Sequence, residues 1–154
     1  MIYAKATKED IEQLTELRIA YLTEDNGELK EKELEIIRRD LPDYFIRNLN
    51  KTIFGYAAKN GKEMIACALL LLVEKPMSPA FINGKTGTVL NVYTKAEYRH
   101  NGHARKLMNM LMEDVVNMGL SVVEVKATEN GYQLYKSIGF RDTISKYHNM
   151  NWRI

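Results

Sequence analysis

The sequence predicts a mixed α/β domain, with strands paired in both senses and helices laid against them. Two local patterns carry that prediction. Residues 52–58 and 63–74 are runs rich in apolar, β-branched and aromatic side chains, and Lys59-Asn60-Gly61-Lys62 lies between them. An Asn-Gly pair between two such runs is the strongest short signal for a hairpin, so these two strands are antiparallel. Farther along, Val89, Val92, Tyr93 and Thr94 read as a strand that passes through a polar turn into the helical pattern Leu107, Met108, Leu111, Met112 and Val115. Gly119 stops that helix and residues 121–127 form the next strand. A crossover of strand, helix and strand is almost always right-handed, and it makes its two strands parallel.

Taken in order, residues 2–6 read as a first strand. Thr7 with Asp10 makes a helix entry in which the acidic side chain stands in for the usual capping-box Glu. The helix then runs to about Leu22, with Ile11, Leu14, Leu17, Ile19, Tyr21 and Leu22 as a broad apolar face. Residues 23–27 are a polar break, and a second helical pattern follows through Leu34, Ile37 and Leu41. Pro42 interrupts it, with Tyr44, Phe45 and Leu49 suggesting a further turn. The run 63–74 is apolar without alternation from Ile65 to Val73, so it belongs at the centre of the sheet, covered on both faces. Pro76 and Pro79 end it, and the stretch to Lys85 is expected as a loop or hairpin tip. Residues 132–138 are a short helix closed by Gly139, and the alternating residues 147–154 are expected to supply a final strand.

The chain has 154 residues, 45% apolar and 27% charged, which fits one domain over 1–154 with a sizeable core. A net charge of +2 is too small for a protein that grips phosphate backbones, so no nucleic-acid partner is expected. The one cysteine, Cys67, lies in the apolar run 64–73; it can form no intrachain disulfide and reads as a buried core thiol. His100, His103 and His148 are scattered, and with that cysteine they lack the ligand spacing of a metal site. No run approaches about twenty apolar residues, and the pattern of a signal peptide is missing, so a cytoplasmic protein with no membrane partner is expected.

Chemistry concentrates at the turn that follows the strand ending at Thr94. It is a helix N-terminus, where the first amides lack intrahelical partners and the dipole leaves partial positive charge. With Arg99, Gly102, Arg105 and Lys106 around it, the turn is suited to phosphate, and Gly102 lets the backbone approach the ligand closely. Within this turn neither G-x-G-x-x-G nor G-K-[ST] is present, which argues against a Rossmann or P-loop reading of it.

Arg99-His100-Asn101-Gly102-His103-Ala104 is similar to the R/Q-x-x-G-x-G/A signature of the GNAT superfamily of N-acetyltransferases. Asn91-Val92-Tyr93-Thr94 resembles the family's fourth strand, and Leu134-Tyr135-Lys136-Ser137-Ile138-Gly139-Phe140 its L-Y-x-x-x-G-F helix and turn. Three signatures thus follow one another in the family's order. The resemblance implies a mostly antiparallel central sheet flanked by helices, whose parallel fourth and fifth strands splay to admit acetyl-CoA. It implies transfer of the acetyl group from acetyl-CoA to a primary amine of a small-molecule or peptide acceptor, with no metal, the first two helices bordering the acceptor site; a homodimer is compatible with it.

The resemblance also implies roles for particular residues. The pyrophosphate falls to the turn, at Arg99, His100, Asn101, Gly102, His103, Ala104 and Arg105, and the pantetheine arm pairs along Val92, Tyr93 and Thr94. Tyr135 stands where many relatives place the phenol that protonates the departing sulfur; with an ordinary pKa of about 10 it is protonated at neutral pH. The family often has an Asn before that tyrosine to contact the cofactor; here the position is Thr128, with Asn130 close behind, and either can supply hydrogen bonds to CoA. Ala96 stands where related strands often have Pro. No general base is singled out: Glu24, Asp25, Glu74 and His148 are candidates, and a water chain can replace them. The alternative reading is a CoA-binding module that senses or regulates without turnover.

Overall fold

The computed structural model describes residues 1–154. In chain order its elements are β1 (Ile2–Lys5), a 3₁₀ turn (Lys8–Asp10) leading into α1 (Ile11–Asn26), α2 (Glu31–Asn48), β2 (Ile53–Asn60), β3 (Glu63–Glu74), β4 (Lys85–Thr94), a second 3₁₀ turn (Ala96–Tyr98), α3 (His103–Asn117), β5 (Val122–Val125) and α4 (Tyr132–Ile138). The five strands lie side by side in sequence order, all antiparallel except β4 with β5, which are parallel. No helix is long and apolar enough to cross a membrane.

The unbroken apolar run of β3 feeds two cores. Ile65, Ala66, Ala68 and Leu70 pack with Leu107, Met108, Leu111 and Val115 of α3 on one face. Met64, Cys67 and Leu69 pack with Ile11, Leu14 and Leu17 of α1 and Phe45 of α2 on the other. Cys67 is wholly buried, and that burial pushes its thiol up to about 12, so it stays a protonated packing residue. Polar groups tie the edge strand to α3: Asp114 of α3 receives the Tyr56 hydroxyl at 2.7 Å and the Lys5 ammonium at 2.8 Å. Burial alone raises the Asp114 carboxyl, but those two partners outweigh it and hold the group below the usual carboxylate range.

Several boundaries differ from the sequence expectation. α1 runs on through the polar residues after Leu22 to Asn26; there the Thr23 hydroxyl and the Asn26 amide bond back to the carbonyls of Ile19 and Leu22 within the helix, in place of bonds that would favour a turn. Gly27, at φ +82°, then ends it. Pro42 lies inside an unbroken α2; the second half of that helix is anchored by Phe45, buried in the α1 face of the sheet. In the β2–β3 hairpin the turn is Gly61-Lys62, with Asn60 paired to Glu63. β5 is shorter than the expected 121–127. Residues 147–154 form no strand: their alternation is present, but no strand of this chain pairs with them, and Met150, Trp152 and Ile154 stand exposed.

Candidate functional site

The site begins where two parallel strands part. β4 pairs with β5 from Thr86↔Val122 to Val89↔Val125, and from Leu90 to Thr94 it continues along β3 alone. Its register against β3 slips opposite Cys67 to Leu69, and Asn91 in that bulge has φ +53°, a left-handed conformation that Asn tolerates better than most residues. A bulge bends its strand, and the backbone of Val92, Tyr93 and Thr94 is left without a neighbour on the β5 side. Asn91 itself is buried; its amide donates to Cys67 Sγ at 3.3 Å, and its Oδ1 has no partner in the chain.

Beyond Thr94 the chain folds into the turn before α3. Gly102, at φ +81°, is the residue ahead of the helix, and no side chain caps the amides that follow; the first helical bond runs from the Lys106 amide to the Gly102 carbonyl. The amides of His103, Ala104 and Arg105 are therefore free for an anion. A side-chain atom added at Gly102 would meet nothing within 4 Å, so the approach to the turn is open. His100, also left-handed at φ +63°, is exposed, and Asn101 donates to the Tyr98 and Arg99 carbonyls at 3.1 Å each, fixing the turn.

The side chains around this turn are mostly engaged in holding it. The Arg99 guanidinium donates to the Thr94 carbonyl at 2.8 Å and to Glu24 of α1 at 2.6 Å, and lies over the Tyr93 ring. His103 turns its ring inward to share a 2.7 Å hydrogen bond with the Tyr3 hydroxyl of β1. Arg105 donates to Ser137 of α4 at 2.8 Å. What faces an incoming phosphate is thus backbone N–H, with the helix dipole behind it.

Tyr135 lies on α4, 7% exposed, its ring edge-on to Phe140. No hydrogen bond engages its hydroxyl, and burial, reinforced by Tyr21, pushes the phenol up to about 12. Tyr21 belongs to α1, which packs on the opposite face of the sheet from Tyr135. Burial also raises the Tyr21 phenol, with Asp25 one turn on adding to it. Just before α4, the Thr128 hydroxyl accepts the Gly131 amide at 3.1 Å, while Asn130 is exposed.

The candidate bases separate by position. Glu24 is bound to Arg99, whose hydrogen bond holds its carboxyl below the usual range. Glu74 pairs with Lys85 at the start of β4, about 17 Å along the strand from Leu90, where the gap opens, and about 30 Å from Thr94. His148 lies in the exposed segment after α4, and Asp25 is exposed near the end of α1. No three His, Cys, Asp or Glu side chains come together as a metal-binding group. The sequence reading has Tyr21 only on the apolar face of the first helix, and the left-handed Asn91 and the Tyr3–His103 bond have no counterpart in it; the one available signal was Tyr21 and Asp25 at helical spacing on one face.

The sequence profile of the Acetyltransferase (GNAT) family matches residues 11–140, from the start of α1 to the turn after α4. The chain belongs to the GNAT acetyltransferase family. Solved structures agree on the GNAT fold. A predicted acetyltransferase of Clostridium acetobutylicum, crystallised with acetyl-CoA, is 26% identical, with 97% of this chain and 95% of that one covered and a TM-score of 0.85. A GCN5-related N-acetyltransferase of Ralstonia eutropha superposes with a TM-score of 0.81 at 23% identity, covering 97% of each chain. A transcriptional regulator of Bacillus halodurans has the same fold at 16% identity, with a TM-score of 0.73 and 99% of both chains covered. Among curated proteins none matches by sequence. GNAT membership accounts for the mixed sheet: its one parallel pair is the pair that parts.

Proposed function

We propose that this GNAT chain is a cytoplasmic N-acetyltransferase, one domain over residues 1–154, that moves the acetyl group of acetyl-CoA to a primary amine. The pyrophosphate of acetyl-CoA would lie on the amides of the turn from Gly102 to Arg105, and the pantetheine arm along the unpaired backbone of Val92, Tyr93 and Thr94. Fit is supported by the uncapped amides and by the open space at Gly102, where no side chain obstructs a bulky anion.

The observation that carries the reading is Tyr135: a buried ring with an unengaged hydroxyl, in the core cluster against which Val92 packs. In the reaction the amine nitrogen bonds to the acetyl carbon, the carbon–sulfur bond breaks with its electron pair going to sulfur, the nitrogen loses a proton and the sulfur gains one. A phenol raised to about 12 remains protonated across the neutral range, so it is always a donor toward the departing thiolate. Closeness of amine and thioester between α1 and the gap supplies the rest. Solvent takes up the amine's proton in this scheme, since Glu24 is held by Arg99 and Glu74 is remote.

That shortage of free bases is also what favours the second reading, a CoA-binding sensor without turnover. One experiment separates them: acetyl-CoA is supplied with a panel of polyamines, amino acids, antibiotics and peptides, and release of the CoA thiol is followed. Amine-dependent release with the acetylated product seen by mass spectrometry is expected. Tight CoA binding with no release above the rate of hydrolysis across the panel would leave the sensor.

A further inference from the structure

Only Arg18 and Arg99 among this chain's arginines are half-buried, and they differ in their company. Arg99 has Glu24 as its partner, whereas Arg18 of α1 has no ion pair and no hydrogen-bond acceptor in the chain. Arg18 stands four residues after Leu14 and three before Tyr21, so it shares the side of α1 that packs on the sheet. Burial raises the phenols of Tyr21 and Tyr44 and the thiol of Cys67, and the Arg18 charge works against it at all three. Those groups belong to α1, α2 and β3, so the guanidinium sits in the wedge between the two helices and the sheet. A cation held partly out of water without a counter-ion is unfavourable, and an anionic ligand removes that penalty.

The wedge opens into a cavity of about 320 Å³ between α1 and α2, within the size range of small-molecule sites. Leu22, Ile36, Ile37 and Leu41 give it an apolar wall, and Arg18, Tyr44 and Asp40 its polar lining. Asp40 is exposed and already accepts two hydrogen bonds from Arg39, at 2.8 and 3.0 Å. Ile36 stays 50% exposed there, apolar surface that a ligand would cover. Direct contacts tie this part of α1 to the open half of β4. Cys67, which feels the Arg18 charge, accepts the Asn91 amide at 3.3 Å in the bulge. Six residues beyond Arg18, Glu24 is bound to Arg99, which also holds the Thr94 carbonyl. The stretch from Arg18 to Glu24 therefore runs beside β4 from Asn91 to Thr94.

We propose that this cavity takes an amino acid with an apolar side chain as the acceptor, its carboxylate on Arg18, its side chain along the α1–α2 wall and its amine toward the open half of β4. The proposal rests on the acetyl-transfer reading above, whose acceptor it specifies. A guanidinium grips a carboxylate through two parallel hydrogen bonds, which fixes the direction of the molecule as well as holding it. The adjoining outer groove carries Glu28 and Glu33 with Lys30, so like charge there keeps the carboxylate at the inner end. The amine is one carbon away from that anchored group, and it is the nitrogen that bonds to the acetyl carbon as the carbon–sulfur bond breaks; it loses a proton and the CoA sulfur gains one. A polyamine would bring a second cation against Arg18, and a peptide N-terminus has no carboxylate beside its amine.

Leucine, methionine and phenylalanine serve as probes, each beside its carboxamide and beside the amine that lacks the carboxyl group. With acetyl-CoA, the acids should show kcat/KM at least about thirtyfold above both analogues, as expected for loss of a charge-assisted pair. The carboxamide's amine is less basic and more often neutral, so chemistry alone would favour that analogue over the acid. Arg18→Gln should bring the ratio close to one, chiefly through KM, and Arg18→Lys should restore part of it; neither change breaks a bond of the folded chain. Calorimetry of leucine against the CoA-loaded protein reads the site without turnover, and Arg18→Gln should weaken that binding at least about tenfold. Leucine binding that depends on Arg18, with no acetylated product from any amine, would support the site and overturn the transfer reading. Turnover of the plain amines or of spermidine with no preference for the acids would overturn the proposal and leave that reading standing. Equal losses for acid and amine in Arg18→Gln would make Arg18 a packing residue and overturn the proposal, as would the absence of both binding and product.

Discussion

The two halves of β4 are continuous in sequence and opposite in use. From Thr86 to Val89 the strand has a partner on each side, and small residues let it fit: an added side-chain atom at Gly87 would lie 2.9 Å from Leu70 and 3.0 Å from Leu120. From Leu90 to Thr94 the strand keeps β3 and gives up β5, after a bulge at a left-handed Asn91. One half holds the sheet together by making every available bond. In the other, the β5 side is left unpaired, and it is there that the proposed pantetheine arm would bond. Stability and function can therefore be broken separately along a single strand.

The sharpest break is expected at Tyr135. Phe keeps the ring and nearly all its buried area, so Tyr135→Phe should lower kcat about a hundredfold to ten-thousandfold, with the CoA dissociation constant and the neutral-pH melting temperature near wild type. Stopped kinetics and calorimetry on the same preparation check this. An unchanged rate where chemistry limits turnover would make Tyr135 a packing residue and not the acid. The alkaline range gives a second reading. Burial raises the phenol in the folded state to about 12 from 10.0, so its contribution is complete below the lower value and is lost as the pH rises through the higher one. In the Phe variant that part of the loss of stability above pH 10.0 should be missing.

Gly87→Ala tests the paired half. Overpacking against Leu70 and Leu120 should cost about 1–3 kcal/mol in chemical denaturation, with kcat unchanged in the folded fraction. Gly102→Val tests the turn that the freed half leads into. A β-branched residue at φ +81° is strained by about 1–2 kcal/mol, and its side chain occupies the open approach, so CoA should bind at least tenfold more weakly, about 1.4 kcal/mol, by calorimetry. Equal affinity in a folded variant would remove the turn as the anion site.

The smallest effect belongs to Glu24 and Arg99. Both side chains are partly in water, so Glu24→Gln should cost no more than about 1 kcal/mol. The Glu24 carboxyl is held lower in the folded state than in the unfolded one, so its contribution is present above the unfolded value of about 4.3 and is lost as the pH falls through the lower folded value. Acid unfolding of the variant should lack that increment.

The sequence was most legible where one local rule decides the outcome. The unalternating β3 could only be central, Asn60-Gly61 could only join antiparallel neighbours, and α4 spans the residues its apolar spacing marks before Gly139, at φ +120°. The turn proposed for the pyrophosphate was legible in its geometry, a strand running into a helix through Gly102. Long-range choices were not. Nothing local says that Arg99 would turn to Glu24, across seventy-five positions, rather than outward to a phosphate. The bulge at Asn91 is hidden in an apolar run, because backbone handedness at one residue leaves the pattern intact. At 150–154 the alternation states which side chains share a face, but a strand is defined by its partner, and alternation names none.

The hydrogen bond between Tyr3 and His103 joins residues one hundred positions apart, and it seats the first residue of the helix whose free amides are the proposed pyrophosphate site. Contacts of that span form only after much of the chain has condensed, since loop closure must be met before they contribute. Competence to bind the proposed cosubstrate would accordingly be acquired late, as a property of the assembled sheet and not of the six-residue signature. A fragment that keeps residues 85–140 but lacks β1 would carry every letter of the motif and still present its amides poorly, so ligand binding during refolding serves as a clock for the docking of the first strand.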